Sequence, residues 1–111
     1  MQVLFEAHSR EALALRDVAV SRTEFVMRRL RWMVLRARVH LDDVNGPRGG
    51  VDKRCRIELR APAGHPVVVT SIATDWRRAL DAALARAARA LLRGWQRHRA
   101  EPAAARRLSP R

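Results

Sequence analysis

Carboxylates are scarce in this sequence: eleven Asp and Glu stand against twenty-three Lys and Arg over 111 residues, for a formal charge of +12. That imbalance excludes a surface of evenly interspersed charges and points to nucleic acid or another anionic surface as partner. Cysteine is nearly absent as well. Cys55 stands alone, which excludes an intramolecular disulfide and every cysteine-based metal site, and its place in an alternating segment makes it a small buried hydrophobe. No apolar run approaches membrane-spanning length, and the amino terminus, MQVLFEAHSR, lacks the basic start and long apolar stretch of a signal peptide. A cytoplasmic protein without a membrane partner is expected. Lys53 is the only lysine; a coding bias toward arginine and alanine explains that, but not the missing carboxylates.

The residues that carry catalysis are missing in pattern even where they are present in number. His8, His40, His65 and His98 fall on separate elements with no Glu or Cys at ligand spacing, so no metal site is expected. Asp42 and Asp43 are adjacent and point to opposite faces of a strand, which excludes a carboxylate pair acting on one substrate. The segment Asn45-Gly46-Pro47-Arg48-Gly49-Gly50 is glycine-rich, yet it matches neither phosphate-binding glycine pattern and joins two strands instead of opening a helix. No serine lies in a nucleophile motif. The expectation is a protein that is not an enzyme, with no cofactor and no small-molecule substrate.

Apolar periodicity organises what is there. Met1 to Ala7 suits a strand. Arg10 to about Arg31 has helical spacing through Leu15, Val18, Ala19, Val26 and Leu30, with Arg22 and Arg29 at the edges of the stripe. Leu35 to Val44 alternates, with Leu35, Ala37, Val39 and Leu41 inward against Arg36, Arg38, His40 and Asp42 outward. Lys53 to Ala61 alternates again, with Cys55, Ile57 and Leu59 inward. After a turn at Pro62-Ala63-Gly64, His65 to Ala73 forms a valine-rich strand. The fold class is α+β with the order β-α-β-β-β-α: a crossover joins two parallel strands, the remaining strands run antiparallel, and one four-stranded mixed sheet carries two helices packed on one face. Residues 1–97 form one domain. Residues 98–111, HRAEPAAARRLSPR, read as a basic disordered tail.

The second helix, Asp75 to Arg97, is the most informative stretch. At about 100° per residue it puts Trp76, Leu80, Leu84, Ala87, Leu91 and Trp95 on one side and Arg78, Arg86, Arg89, Arg93 and Arg97 roughly opposite. Asp75 precedes the first apolar position as an N-cap, and only Asp75 and Asp81 offset the arginines. A cationic row so poorly compensated suits a polyanion. Arg28, Arg29 and Arg31 cluster at the end of the first helix, where they suit either the negative end of the dipole or a second phosphate contact. Arg48 and Lys53, at the hairpin tip, are further candidates for backbone contacts with RNA. Trp76 and Trp95 lie on the apolar stripe, which assigns them to packing and leaves recognition to arginine and phosphate.

These residues resemble a known family. Asp75-x-x-x-Ala79-Leu80-Asp81 followed by Arg86, Arg89, Leu91, Arg93 and Arg97 is similar to the last helix of the ribosome hibernation promoting factor and ribosome-associated inhibitor (sigma-54 modulation protein) family, whose pattern is D-x-Y-x-A-I-D and then K-L-x-R-Q-L-x-K. The hairpin from Val39 through Asn45-Gly46-Pro47-Arg48-Gly49-Gly50 to Cys55 resembles a short-form subgroup. Arg77 departs from the family's usual tyrosine. The resemblance spans about residues 1–97 and implies the same element order. It further implies a bacterial stress-response protein that occupies the decoding region of the small ribosomal subunit, where mRNA and the A- and P-site tRNAs bind. Its rRNA contacts would fall on Arg86, Arg89, Arg93 and Arg97. It also implies a monomer off the ribosome, without the second domain that lets long forms pair ribosomes. Two alternatives stay open: a double-stranded-RNA-binding module outside the ribosome, which has a similar sheet with two helices on one face, and a protein-interaction or transcription-modulating role.

Overall fold

The computed structural model describes residues 1–44, 52–62 and 64–108, with side chains described as far as residue 97. Four strands, β1 (Gln2–Ala7), β2 (Arg36–Asp43), β3 (Lys53–Arg60) and β4 (Val67–Ala73), form one sheet in the order β1-β2-β3-β4. β1 and β2 are parallel, with Phe5 opposite Val39; β2–β3 and β3–β4 are antiparallel, with Val39 opposite Ile57 and Ile57 opposite Val69. The alternation in the sequence fixes this register. Ala37, Val39, Leu41, Cys55, Ile57 and Leu59 all point to the covered face and are essentially inaccessible, and a slip of one residue would turn every one of them to solvent. Leu35, expected on the inward set, is 56% exposed because it precedes the first paired residue, Arg36.

The first helical region is not one helix. It comprises α1 (Arg10–Leu13), α2 (Arg16–Val26) and a tight 3-10 turn at Arg31–Met33. Ser9 caps α1 by accepting from the Ala12 N–H at 3.1 Å. Leu15, which precedes α2, provides no side-chain cap, so the break leaves no signal in the sequence. Ala12, Ala19, Thr23 and Met27 are fully buried over β1. The Thr23 hydroxyl donates to the Ala19 carbonyl at 2.7 Å, which satisfies it within the core.

The last helix, α3 (Trp76–Leu108), lies over β3 and β4 with Leu80, Ala83, Leu84, Ala87 and Leu91 buried. Full burial of each such leucine stabilises by roughly 1.5–3 kcal/mol. The helical backbone continues to Leu108, past Arg97, where the sequence suggested a disordered tail. Ala100 and Ala103 to Ala105 supply the helix propensity that the polar composition of the segment conceals. The turn before β4 needs its glycine, since Gly64 holds φ at +90°.

Candidate nucleic-acid interface

Asp75 caps α3 as its position suggests, accepting from the Arg78 N–H at 2.8 Å. Its carboxylate also lies 3.5 Å from Arg78 Nε. Asp81 is turned away from the arginine row: Arg22 of α2 and Arg77 both reach it at 3.2 Å, which ties the two long helices together. Arg89, Arg93 and Arg97 are exposed and form no ion pair among the described residues. Arg86 differs from them. Its Nη1 donates to the Thr70 carbonyl at 2.6 Å and approaches Ser71 Oγ at 3.4 Å, so this arginine reaches across to β4.

Within the cluster after α2, Arg28 takes the role at the end of the helix dipole. Arg28 donates to the Phe25 carbonyl at 2.8 Å and lies 4.2 Å over the Phe25 ring, which is how a cation serves a helix C-terminus. Arg29 and Arg31 are exposed and form no ion pair among the described residues. Trp32 then meets Trp95 edge to face, ring centroids 5.6 Å apart. That contact sets the end of the Arg28–Arg31 cluster against α3 at Trp95, where Arg97 lines the same groove as Trp32.

Lys53 is not a free loop-tip cation. Its ammonium bonds Asp43 at 2.7 Å, lies 3.6 Å from the fully buried Asp52, and sits 5.3 Å over the Trp76 ring. The hydrogen bond to Asp43 raises its pKa above the ordinary lysine value. Arg48, the other tip residue, lies outside the described residues. Trp76 is held by a hydrogen bond from its Nε1 to Glu11 at 3.1 Å and is buried, in keeping with a packing role.

A second basic surface was visible only as an alternation. The face of the sheet away from the helices carries Arg36, Arg56 and Arg60 exposed, while Arg38 approaches Glu6 at 3.5 Å and Arg54 bonds Asp42 at 2.8 Å. The Arg54 hydrogen bond draws the Asp42 carboxyl below its ordinary pKa. Arg36 and Arg60 are direct cross-strand partners, a like-charge pairing that disfavours the sheet unless an anion lies between them. His8 and His40, far apart in sequence, meet here with Nε2 atoms 2.7 Å apart. No group of three His, Cys, Asp or Glu side chains suited to a metal ion occurs among the described residues. No helix among them is long and apolar enough to cross a membrane.

No protein-family model matches the sequence, and no curated protein matches it. Solved structures do share its fold. The N-terminal domain of Protein Y from Thermus thermophilus superposes with a TM-score of 0.64 at 23% identity, over 84% of this chain and 98% of that one. A ribosomal subunit interface protein from Coxiella burnetii superposes with a TM-score of 0.65 at 14% identity, over 84% of this chain and 96% of that one.

Proposed function

We propose that this chain is a ribosome hibernation factor. It binds the small ribosomal subunit through rRNA phosphates, occupies the decoding channel, and so excludes mRNA and the A- and P-site tRNAs. The observation that carries this reading is the exposed row Arg89, Arg93 and Arg97, in no ion pair among the described residues, together with the exposed Arg28, Arg29 and Arg31 just before Trp32, which meets α3 at Trp95. Fixed cations without carboxylate neighbours release condensed counterions when they meet phosphates, and that release drives binding without reading sequence. The kinship of fold with a ribosomal subunit interface protein supports the ribosome as the polyanion. Binding is the whole of the activity: the sheet holds both helices as one rigid wedge, and inhibition is steric, with no catalysis and no cofactor. The binding unit is residues 1–97, acting as a monomer in the cytoplasm. Arg78 and Arg86 add charge at the margin of the surface, and Lys53 is left out because its charge is already neutralised.

The test is co-sedimentation with vacant small subunits at moderate salt, using wild type and the Arg89→Glu, Arg93→Glu, Arg97→Glu variant, with mRNA plus tRNA as competitors. Stoichiometric pelleting abolished by both the variant and the competitors is expected. Failure of folded wild type to pellet, together with tight binding to plain duplex RNA, would replace the ribosomal reading with a duplex-binding one.

A further inference from the structure

Between the 31–33 turn, the start of β4 and the C-terminal half of α3 lies an open groove of about 800 Å³, whose apolar wall includes Trp32, Met33, Pro66, Val68 and Trp95 and whose rim includes Arg97. Trp32 leaves 65% of its surface exposed. Its contact with Trp95 is edge to face, with an interplanar angle of 84°. An exposed indole beside an apolar wall marks a surface made to be covered.

Gly94 lines the same groove, and packing gives no reason for it. A Cβ there would meet no atom nearer than Arg97 Nη2 at 4.0 Å, although glycine inside a helix is unfavourable. What glycine does provide is space beside Trp95 and Arg97. The charge around the groove selects the occupant. None of its described lining residues is acidic, while Arg97 lies on its rim and Arg31 directly precedes Trp32 in sequence. The matching ligand is flat, aromatic and negatively charged next to the ring. That describes a nucleobase with its phosphate, and an unpaired one, because a duplex keeps its base faces stacked.

We propose that this groove takes an unpaired nucleobase of single-stranded RNA, stacked on Trp32, with the adjoining phosphate held by Arg97. The inference rests on the RNA-binding reading above and adds to it a contact with bases. Phosphate-only recognition had no use for Trp32, and the groove gives it one.

The experiment measures anisotropy of a labelled oligoadenylate hexamer and of an abasic hexamer of the same length, titrated with wild type, Trp32→Ala and Trp32→Phe, with circular dichroism as the check on folding. On the usual scale of base–aromatic stacking, Trp32→Ala should bind the oligoadenylate about 5- to 150-fold more weakly. Trp32→Phe should recover most of that loss, and the abasic hexamer should bind wild type and Trp32→Ala alike. The ratio of wild type to Trp32→Ala should hold as salt rises, because stacking releases no counterions. Equal oligoadenylate binding by wild type and Trp32→Ala overturns the proposal, as does an equal loss on the abasic strand. Tighter binding of an acidic tryptophan-containing peptide than of the hexamer also overturns it, in favour of a protein partner. The two readings fail separately: a Trp32-dependent hexamer contact in a protein that does not pellet with small subunits supports the base site and sinks the ribosomal assignment, whereas Trp32-independent binding in a protein that does pellet has the opposite meaning.

Discussion

Substituting the exposed arginines that form no ion pair among the described residues by glutamine one at a time, and measuring subunit affinity against salt for each, tests the electrostatic mechanism arginine by arginine. Six candidates are exposed after α2 and along α3: Arg28, Arg29, Arg31, Arg89, Arg93 and Arg97. If each meets one phosphate of structured rRNA, the log–log slope is about −0.9 per contact, or about −5 in all. Raising the salt from 0.1 to 0.3 M then weakens binding by about 200-fold. Each substitution along the row should make the slope shallower by about one unit, so the Arg89→Gln, Arg93→Gln, Arg97→Gln triple should fall to about −2 to −3. Lys53→Gln is the internal control. Its ammonium is held by Asp43 at 2.7 Å and faces Asp52 at 3.6 Å, so its removal should leave the slope unchanged. Filter binding or sedimentation across five salt concentrations gives each slope. A flat dependence in wild type, or a Lys53→Gln change as large as that of Arg93→Gln, would refute the assignment of the driving cations.

Four further outcomes follow from the contacts. Lys53→Met leaves the fully buried Asp52 carboxylate without its cation, so thermal unfolding should shift down, and adding Asp52→Asn should restore part of the loss. The lowered Asp42 pKa, caused first by the Arg54 hydrogen bond, contributes stability that is complete above the ordinary carboxylate value of 3.8 and disappears as pH falls through the folded pKa. Acid titration of Asp42→Asn should therefore show a shallower loss of stability below about pH 4 than wild type does. Burial pushes the Cys55 thiol up to about 12, so a thiol reagent at pH 8 should label unfolded protein and spare the native state. Gly94→Ala should raise stability by up to about 1 kcal/mol through helix propensity, since its methyl has open space to enter; a lower melting temperature would mean that the helix needs the glycine.

The parts legible in the sequence were those set by periodicity. Ala37, Val39 and Leu41, with Cys55, Ile57 and Leu59 opposite, announced both the strands and their buried face, and the Trp76–Leu91 stripe announced α3, because the direction of Cβ in a strand or helix is a local property. Asp75 announced where α3 begins for the same reason. The split between α1 and α2 was not legible, since Leu15 carries no capping chemistry. The continuation of α3 to Leu108 was masked by the polar residues and proline around Ala100 and Ala103 to Ala105.

For the site, the sequence by itself determined the charge excess, the arginine row and its place opposite the apolar stripe. Which of those cations are available was decided by tertiary contacts alone. Arg86 is drawn to the Thr70 carbonyl sixteen residues away, Lys53 is held by Asp43 across a hairpin, and Asp81 is claimed by Arg22 from a helix fifty-nine residues earlier. The meeting of Trp32 with Trp95, both of which line the groove, is likewise a product of packing. Periodicity orients a side chain about its own element, but the identity of its partner depends on how elements remote in sequence come to rest against each other.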